Sequence, residues 1–406
     1  MPFLAFLRAN APFLLAGFLL SLLSSFGLTY FLSPFGAEIR SEYGLSHGSW
    51  ATLYAGSTVA GAIAMVWAGP LLDRFRVRTI GVVSLLGLAG ASALMAVNAS
   101  VVTLPVVIFL LRFLGQGMVV QAAGVAMSRW FVGSRGRALA IAALGFSVGE
   151  IVLPLAFTAA KAVVPWRWLF VLAAGLILIS LPVLLRLLRL ERTPQQMATG
   201  EDSAGLAARH WTRAEALHHG LVWCVLPALM VPSMFITVVF FHQAHLAEVK
   251  GWSHLGLLTV LPFYTLAAVV GMFATGVALD RIGTRPMMPL YLLPLAAFLL
   301  LFPQVQSLFW AGPVLALMGL TAGAQATVLM AFWAEIYGTR NLGAIRALTG
   351  AIMVFGTAVG PMLAGELIDR GVEIDAQMGV MAAVTLVSAG LVAFGLRRFA
   401  GGFGRT

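Results

Sequence analysis

Charge is what this sequence has least of. Only 10% of its 406 residues are Asp, Glu, Lys or Arg, while 60% are hydrophobic. A soluble domain carries about 25% charged residues, so an ordinary globular enzyme is excluded. Cysteine is almost absent: Cys224 stands alone, so no intrachain disulfide can form. Lysine is nearly missing too, because Lys161 and Lys250 are the only lysines among 25 basic residues. Long polar stretches are missing except for one, Glu191 to Gly220. There is no Gly-x-x-x-x-Gly-Lys-Ser/Thr, which argues against ATP-driven chemistry. A β-barrel would show segments of about ten residues with alternating polarity, and the chain has none.

What fills the chain is apolar runs of roughly 18 to 27 residues, the length of a helix crossing ~30 Å of hydrocarbon. Twelve such spans are expected, at about 11–37, 49–72, 79–98, 103–128, 138–163, 167–189, 221–247, 254–279, 286–303, 307–334, 343–368 and 378–396. The fold expected is an all-α polytopic membrane protein. The net charge of +10 does not point to nucleic acid, because its placement is topological. With the N-terminus inside, that side carries 19 Lys and Arg and the opposite side five, with Arg112 alone inside a span. Both termini are therefore expected in the cytoplasm of a plasma-membrane protein. The first apolar run has no small-residue cleavage site and is read as a transmembrane helix rather than a removable signal.

The chain repeats itself. Gly69-Pro-Leu-Leu-Asp73-Arg74-Phe-Arg76-Val-Arg78 follows the second span and returns after the eighth as Gly276-Val-Ala-Leu-Asp280-Arg281-Ile-Gly283-Thr-Arg285. Gly133-Ser-Arg135 after span four is echoed by Gly338-Thr-Arg340 after span ten. Gly145 and Gly149 in span five are echoed by Gly356 and Gly360 in span eleven, spacings that let helices approach closely in lipid. The expected domains are residues 1–190, a linker at 191–220 and residues 221–406, giving 12 transmembrane helices in two pseudo-symmetric six-helix bundles. Thr212 and Glu215 have capping-box spacing, so a short surface helix is expected at the end of the linker.

The two hinge copies resemble the loop motif of the major facilitator superfamily. Leu110-Leu-Arg112-Phe-Leu-Gly115-Gln116-Gly117 resembles that superfamily's fourth-helix motif with its buried Arg. The resemblance runs through the whole chain and implies a secondary transporter working by alternating access. Arg135-Gly-Arg137-Ala is similar to branches that carry monocarboxylates and other small organic anions. Spans eight and eleven lack the mid-membrane basic residue some of those members use, and Arg346 sits only at the entry to span eleven. The resemblance further implies a cytoplasmic gate at Asp73, Arg74, Arg78, Asp280, Arg281 and Arg285. Asp73 would latch onto the start of helix eleven, Asp280 would face the start of span five, and Glu335 is one candidate partner for the arginines.

Arg112 is the strongest single residue, because a charge that deep costs at least ~2.5–3.5 kcal/mol unless it is paired or wet. Glu150 is the only acid near the middle of a span, and it is expected to share a charge network with Arg112. Burial would raise its pKa and Arg112 would lower it, which suits a proton carrier. Tyr30, Gln116, Gln121, Ser147, Tyr264 and Gln325 are further cavity candidates. His242 and His245 are expected on one face of span seven, as an outer gate or an interfacial pair and not a metal site. The expected activity is transport of a small organic anion, by symport if protons are coupled. A proton-coupled exporter of amphiphilic or cationic compounds is the alternative. An enzyme or channel is disfavoured by the absence of any catalytic dyad at shared depth. A monomer in lipid, without cofactor, metal or nucleic acid, is the expected form.

Overall fold

The structure, a computed structural model, describes residues 3–131, 135–190, 206, 209, 211–338 and 342–399. Twelve long helices are present among them: α1 Phe3–Ser24, α2 His47–Arg74, α3 Val77–Val97, α4 104–130, α5 Arg135–Ala160, α6 Trp166–Leu187, α7 Gly220–Phe241, α8 His254–Ile282, α9 284–301, α10 Leu308–Tyr337, α11 Leu342–Asp369 and α12 Ile374–Phe399. Eleven are both long and apolar enough to cross a membrane. The remaining helix, α2, has 28 residues and reaches ~42 Å at 1.5 Å per residue. The protein is a multi-pass membrane protein.

The chain packs as two units: residues 1–45 with 52–199, and residues 46–51 with 200–406. The first turn of α2 thus packs with the second unit, while the rest of α2 packs with the first. Within each unit the same pairings recur: α1 with α5 and α3 with α6, then α7 with α11 and α9 with α12. Glycine drives the first pairing. A Cβ at Gly145 would meet the backbone of Phe18 and Leu22, and one at Gly360 would meet the backbone of Met234.

Each unit also ties its loop ends with an ion pair, and the sign is reversed between the copies. Arg167, at the start of α6, meets Glu42 at 2.6 Å and donates to the Ala96 carbonyl at the end of α3. The matching places, 208, 208 and 207 residues on, hold Asp375, Lys250 and Pro303. There Lys250 meets Asp375 at 2.6 Å and donates to the Pro303 carbonyl. The Lys250 side chain is 4% exposed, whereas Arg167 and Glu42 are 25% and 39% exposed. Asp375→Asn should therefore cost about 3 kcal/mol, the low end for breaking a buried pair. Glu42→Gln should cost about 1 kcal/mol or less. Thermal unfolding of the two variants checks the order.

The end of the linker is folded onto the second unit. Thr212 caps the helix Arg213–His218 through a full capping box with Glu215. The Trp211 amide donates to the Tyr337 carbonyl, and His219 Nδ1 lies 3.0 Å from the Tyr337 hydroxyl. The caps and hydrogen bonds from Thr212 hold the Glu215 carboxyl below its ordinary value, and burial holds the His219 imidazole below its own. For both groups the folded segment binds fewer protons than the unfolded one, so acid weakens docking. For His219 the loss sets in as pH falls through about 6.5. Limited proteolysis of the linker should accelerate below that pH, and His219→Phe should remove the dependence.

Candidate functional site

The feature that positions the site is a break in α1. The run expected as one span at 11–37 is helical only to Ser24. A 3-10 turn, Ser25–Gly27, follows, then extended Leu28 at φ −92° and ψ 158°, then the short helix Thr29–Leu32. In an unbroken helix the Phe31 amide would bond the Gly27 carbonyl. Here it bonds the Leu28 carbonyl instead. The Gly27 carbonyl is left without a helical donor at membrane depth, where an unsatisfied group costs several kcal/mol.

Arg112 supplies the missing donor. Its Nη1 reaches the Gly27 carbonyl at 3.1 Å and its Nε reaches Thr58 Oγ1 at 3.2 Å. The Tyr54 ring lies under the guanidinium, 5.2 Å from Cζ to the centroid. Tyr54 in turn donates to Thr29 Oγ1 at 2.8 Å. Arg112 is only 3% exposed. The cost of burying it is offset by the carbonyl dipole, the hydroxyl and the π face.

The chain around Arg112 is also irregular. Arg112–Val119 is a π-helical stretch inside α4. Such stretches are frequent at functional sites. Gly115 stands within it, and a Cβ there would run into the Gly27 backbone, so α1 and α4 touch backbone to backbone at the break.

Glu150 comes to the same segment from α5. It lies close enough to the Tyr30 hydroxyl to act on it electrostatically. Tyr30 donates to Ser25 Oγ at 2.7 Å, across the break. Gly149 makes room for this pair, since a Cβ there would meet Ser25 Oγ and the Tyr30 hydroxyl. The broken segment thus meets Arg112 at Gly27 and carries Tyr30, which lies beside Glu150. Gln116 and Ser147 are half-buried in the same unit, while Gln121 is exposed.

In the second unit Gln325 donates from Nε2 to the Leu229 carbonyl at 3.0 Å. Tyr264 is buried edge-on to Phe240, with centroids 5.0 Å apart. The helix α7 ends at Phe241 and a separate helix, Gln243–Val249, follows, so His242 and His245 do not share one helix face as expected. His242 is buried rather than interfacial, with Nε2 3.0 Å from the Pro361 carbonyl. Glu335 accepts from Thr284 Oγ1 at 2.6 Å. Arg281 is exposed, and Arg78 and Arg285 are half-buried. The side chains of Asp73, Arg74 and Asp280 lie outside the described residues, as do those of Arg135, Arg137 and Arg346 and all of Arg340.

Sequence reasoning missed Ser25, Gly27, Thr29, Tyr54 and Thr58. Tyr54 and Thr58 were legible as polar residues at helical i, i+4 spacing in an apolar span.

A two-unit, all-helical membrane protein with a repeated helix pairing and a buried Arg at a helix break defines a class. The Major Facilitator Superfamily profile matches residues 17–277 and 254–402. The chain belongs to that superfamily. Two uncharacterized MFS-type transporters of Mycobacterium tuberculosis, from strains CDC 1551 and H37Rv, are each 33% identical to it over 145 residues. That match covers 34% of this chain and about a third, 32%, of the relatives' length. Among solved structures, a bacterial homolog to the human lysosomal transporter Spinster is similar in fold. Its inward-facing, unoccupied form gives a TM-score of 0.73 at 14% identity, over 97% of this chain and 98% of that one. Its occupied form gives 0.71 at 16% identity, with the same coverage.

The packing at the break makes a direct prediction. Gly115→Ala should destabilise the protein by about 1–3 kcal/mol, because the added methyl cannot fit against the Gly27 backbone. Gly124→Ala, whose Cβ meets nothing within 4 Å, should leave thermal unfolding unchanged.

Proposed function

We propose that this protein is a secondary transporter that carries a small organic anion, of monocarboxylate type, by alternating access. The observation that carries this reading is the Arg112 guanidinium held at the break in α1 by Gly27, Thr58 and Tyr54. A carboxylate is a better acceptor for a guanidinium than a carbonyl or a hydroxyl. Substrate would exchange for those weaker partners without moving the charge. Discontinuous transmembrane helices form substrate sites in many transporters.

Glu150 is the proposed proton carrier. Its neighbour Tyr30 bridges to Ser25 at the same break, so protonation and anion binding would be felt by one segment. Tyr264, Gln325, Gln116, Gln121, Ser147 and His242 are proposed as lesser contributors to the path. Asp73 and Asp280, at matching places of the repeat, are proposed gate carboxylates together with Arg74, Arg78, Arg281, Arg285 and Glu335. The bundles would be residues 1–190 and 221–406, joined by a cytoplasmic linker, with both termini inside the cell and the monomer as working unit.

One observation favours a second reading: Glu150 is a carboxylate in an otherwise apolar span beside a phenol, which would suit a proton-coupled exporter of amphiphilic cations. Counterflow of labelled monocarboxylates in proteoliposomes separates the two. The anion reading expects counterflow in the native protein and none in Arg112→Gln. Glu150→Gln should keep counterflow and lose accumulation driven by a pH gradient. Absence of counterflow alongside pH-driven dye efflux would favour the exporter.

A further inference from the structure

We propose that His47, His242 and His245 form a proton-binding site that sets how firmly Asp369 holds the first turn of α2. The holding contact is a helix cap made by a distant side chain. The Asp369 carboxylate accepts the His47 amide at 3.0 Å, the Gly48 amide at 2.7 Å and the Ser46 hydroxyl. The first amides of a helix have no partner within it, and a carboxylate is favoured there by the helix dipole. Gly365 lets α11 come close enough: a Cβ there would meet the His47 carbonyl. Trp50 stacks on Phe241 beside it.

The three imidazoles sit on this cap. The His47 ring lies 4.7 Å from that of His245 and 6.0 Å from that of His242, centroid to centroid. His245 reaches Glu248 through Nδ1 and Glu373 through Nε2, each at 3.9 Å. Its Nε2 is buried without a hydrogen-bond partner among the described residues. His242 is fixed on the Pro361 carbonyl.

The charges facing the cluster decide the sign. The segment 243–249 brings Glu248, the end of α11 brings Glu366, Asp369 and Arg370, and the loop after it brings Glu373. Lys250 and Asp375 nearby neutralise one another. Four carboxylates face one guanidinium, so one proton on the imidazoles is welcome. A second is opposed by the closeness of the rings. The proton places positive charge beside Asp369 and Glu373 and tightens the cap. Losing it, as pH rises through the histidine range, loosens the turn.

Hydrogen exchange reads the capped amides themselves. In nanodiscs, the protection of residues 46–51, normalised to the intrinsic rate at each pH, should rise about tenfold from pH ~8 to pH ~5.5, one unit of pK coupling. Protection of α3 should stay constant. His47→Gln and His245→Gln should each flatten the pH response, and Asp369→Asn should lower protection at both pH values. A flat response in the native protein, an undiminished response in both histidine variants, or full protection in Asp369→Asn would each overturn the proposal.

Discussion

A backbone carbonyl without a donor has almost nowhere to go inside a bilayer, and the Gly27 carbonyl is such a group. Its rescue by Arg112 ties together the break in α1, the π-helical stretch of α4 and the polar face of α2. Each part is unfavourable alone: the break frees a carbonyl, the guanidinium is a buried charge, and the π stretch weakens a helix. Together they satisfy one another, and they leave a cation fixed inside a membrane-spanning helix by a carbonyl, a hydroxyl and a ring face.

The second unit meets the same constraint with neutral groups. Pro232 removes the amide that would bond the Ala228 carbonyl, and the Tyr291 hydroxyl donates to it at 2.6 Å. Gln325 donates to the neighbouring Leu229 carbonyl. The shared helix pairings show that the units are related, yet the freed Gly27 carbonyl meets a charged donor and the freed Ala228 carbonyl a neutral one. The loop-end ion pairs tell a similar story, with geometry kept and signs exchanged between Arg167–Glu42 and Lys250–Asp375.

The many spans, the repeat and the burial of Arg112 were legible in the sequence, because hydropathy, motif spacing and a lone charge in an apolar run are local signals. The break in α1 was not. Ser24-Ser25-Phe-Gly27-Leu-Thr-Tyr30 lies in a run whose mean hydropathy stays high, and the Gly and Ser residues that permit the break also occur in regular transmembrane helices. The division at His242 was hidden likewise, because no proline or glycine marks it. The reversed ion pairs escaped for a different reason: a search for repeated residues passes over a charge that has changed sign. Asp369 and His47 escaped because only the fold brings together residues so distant in sequence.

The central claim is that Arg112 serves as both carbonyl cap and anion ligand. Calorimetric titration of a monocarboxylate into purified Arg112→Lys tests it most directly. Lysine keeps the charge but lacks the fork that reaches Gly27 and Thr58 together. The account predicts a folded protein whose affinity falls by about tenfold or more, the ~1.4 kcal/mol or more expected when a forked, charge-assisted contact becomes a single one. Affinity unchanged from the native protein would contradict it.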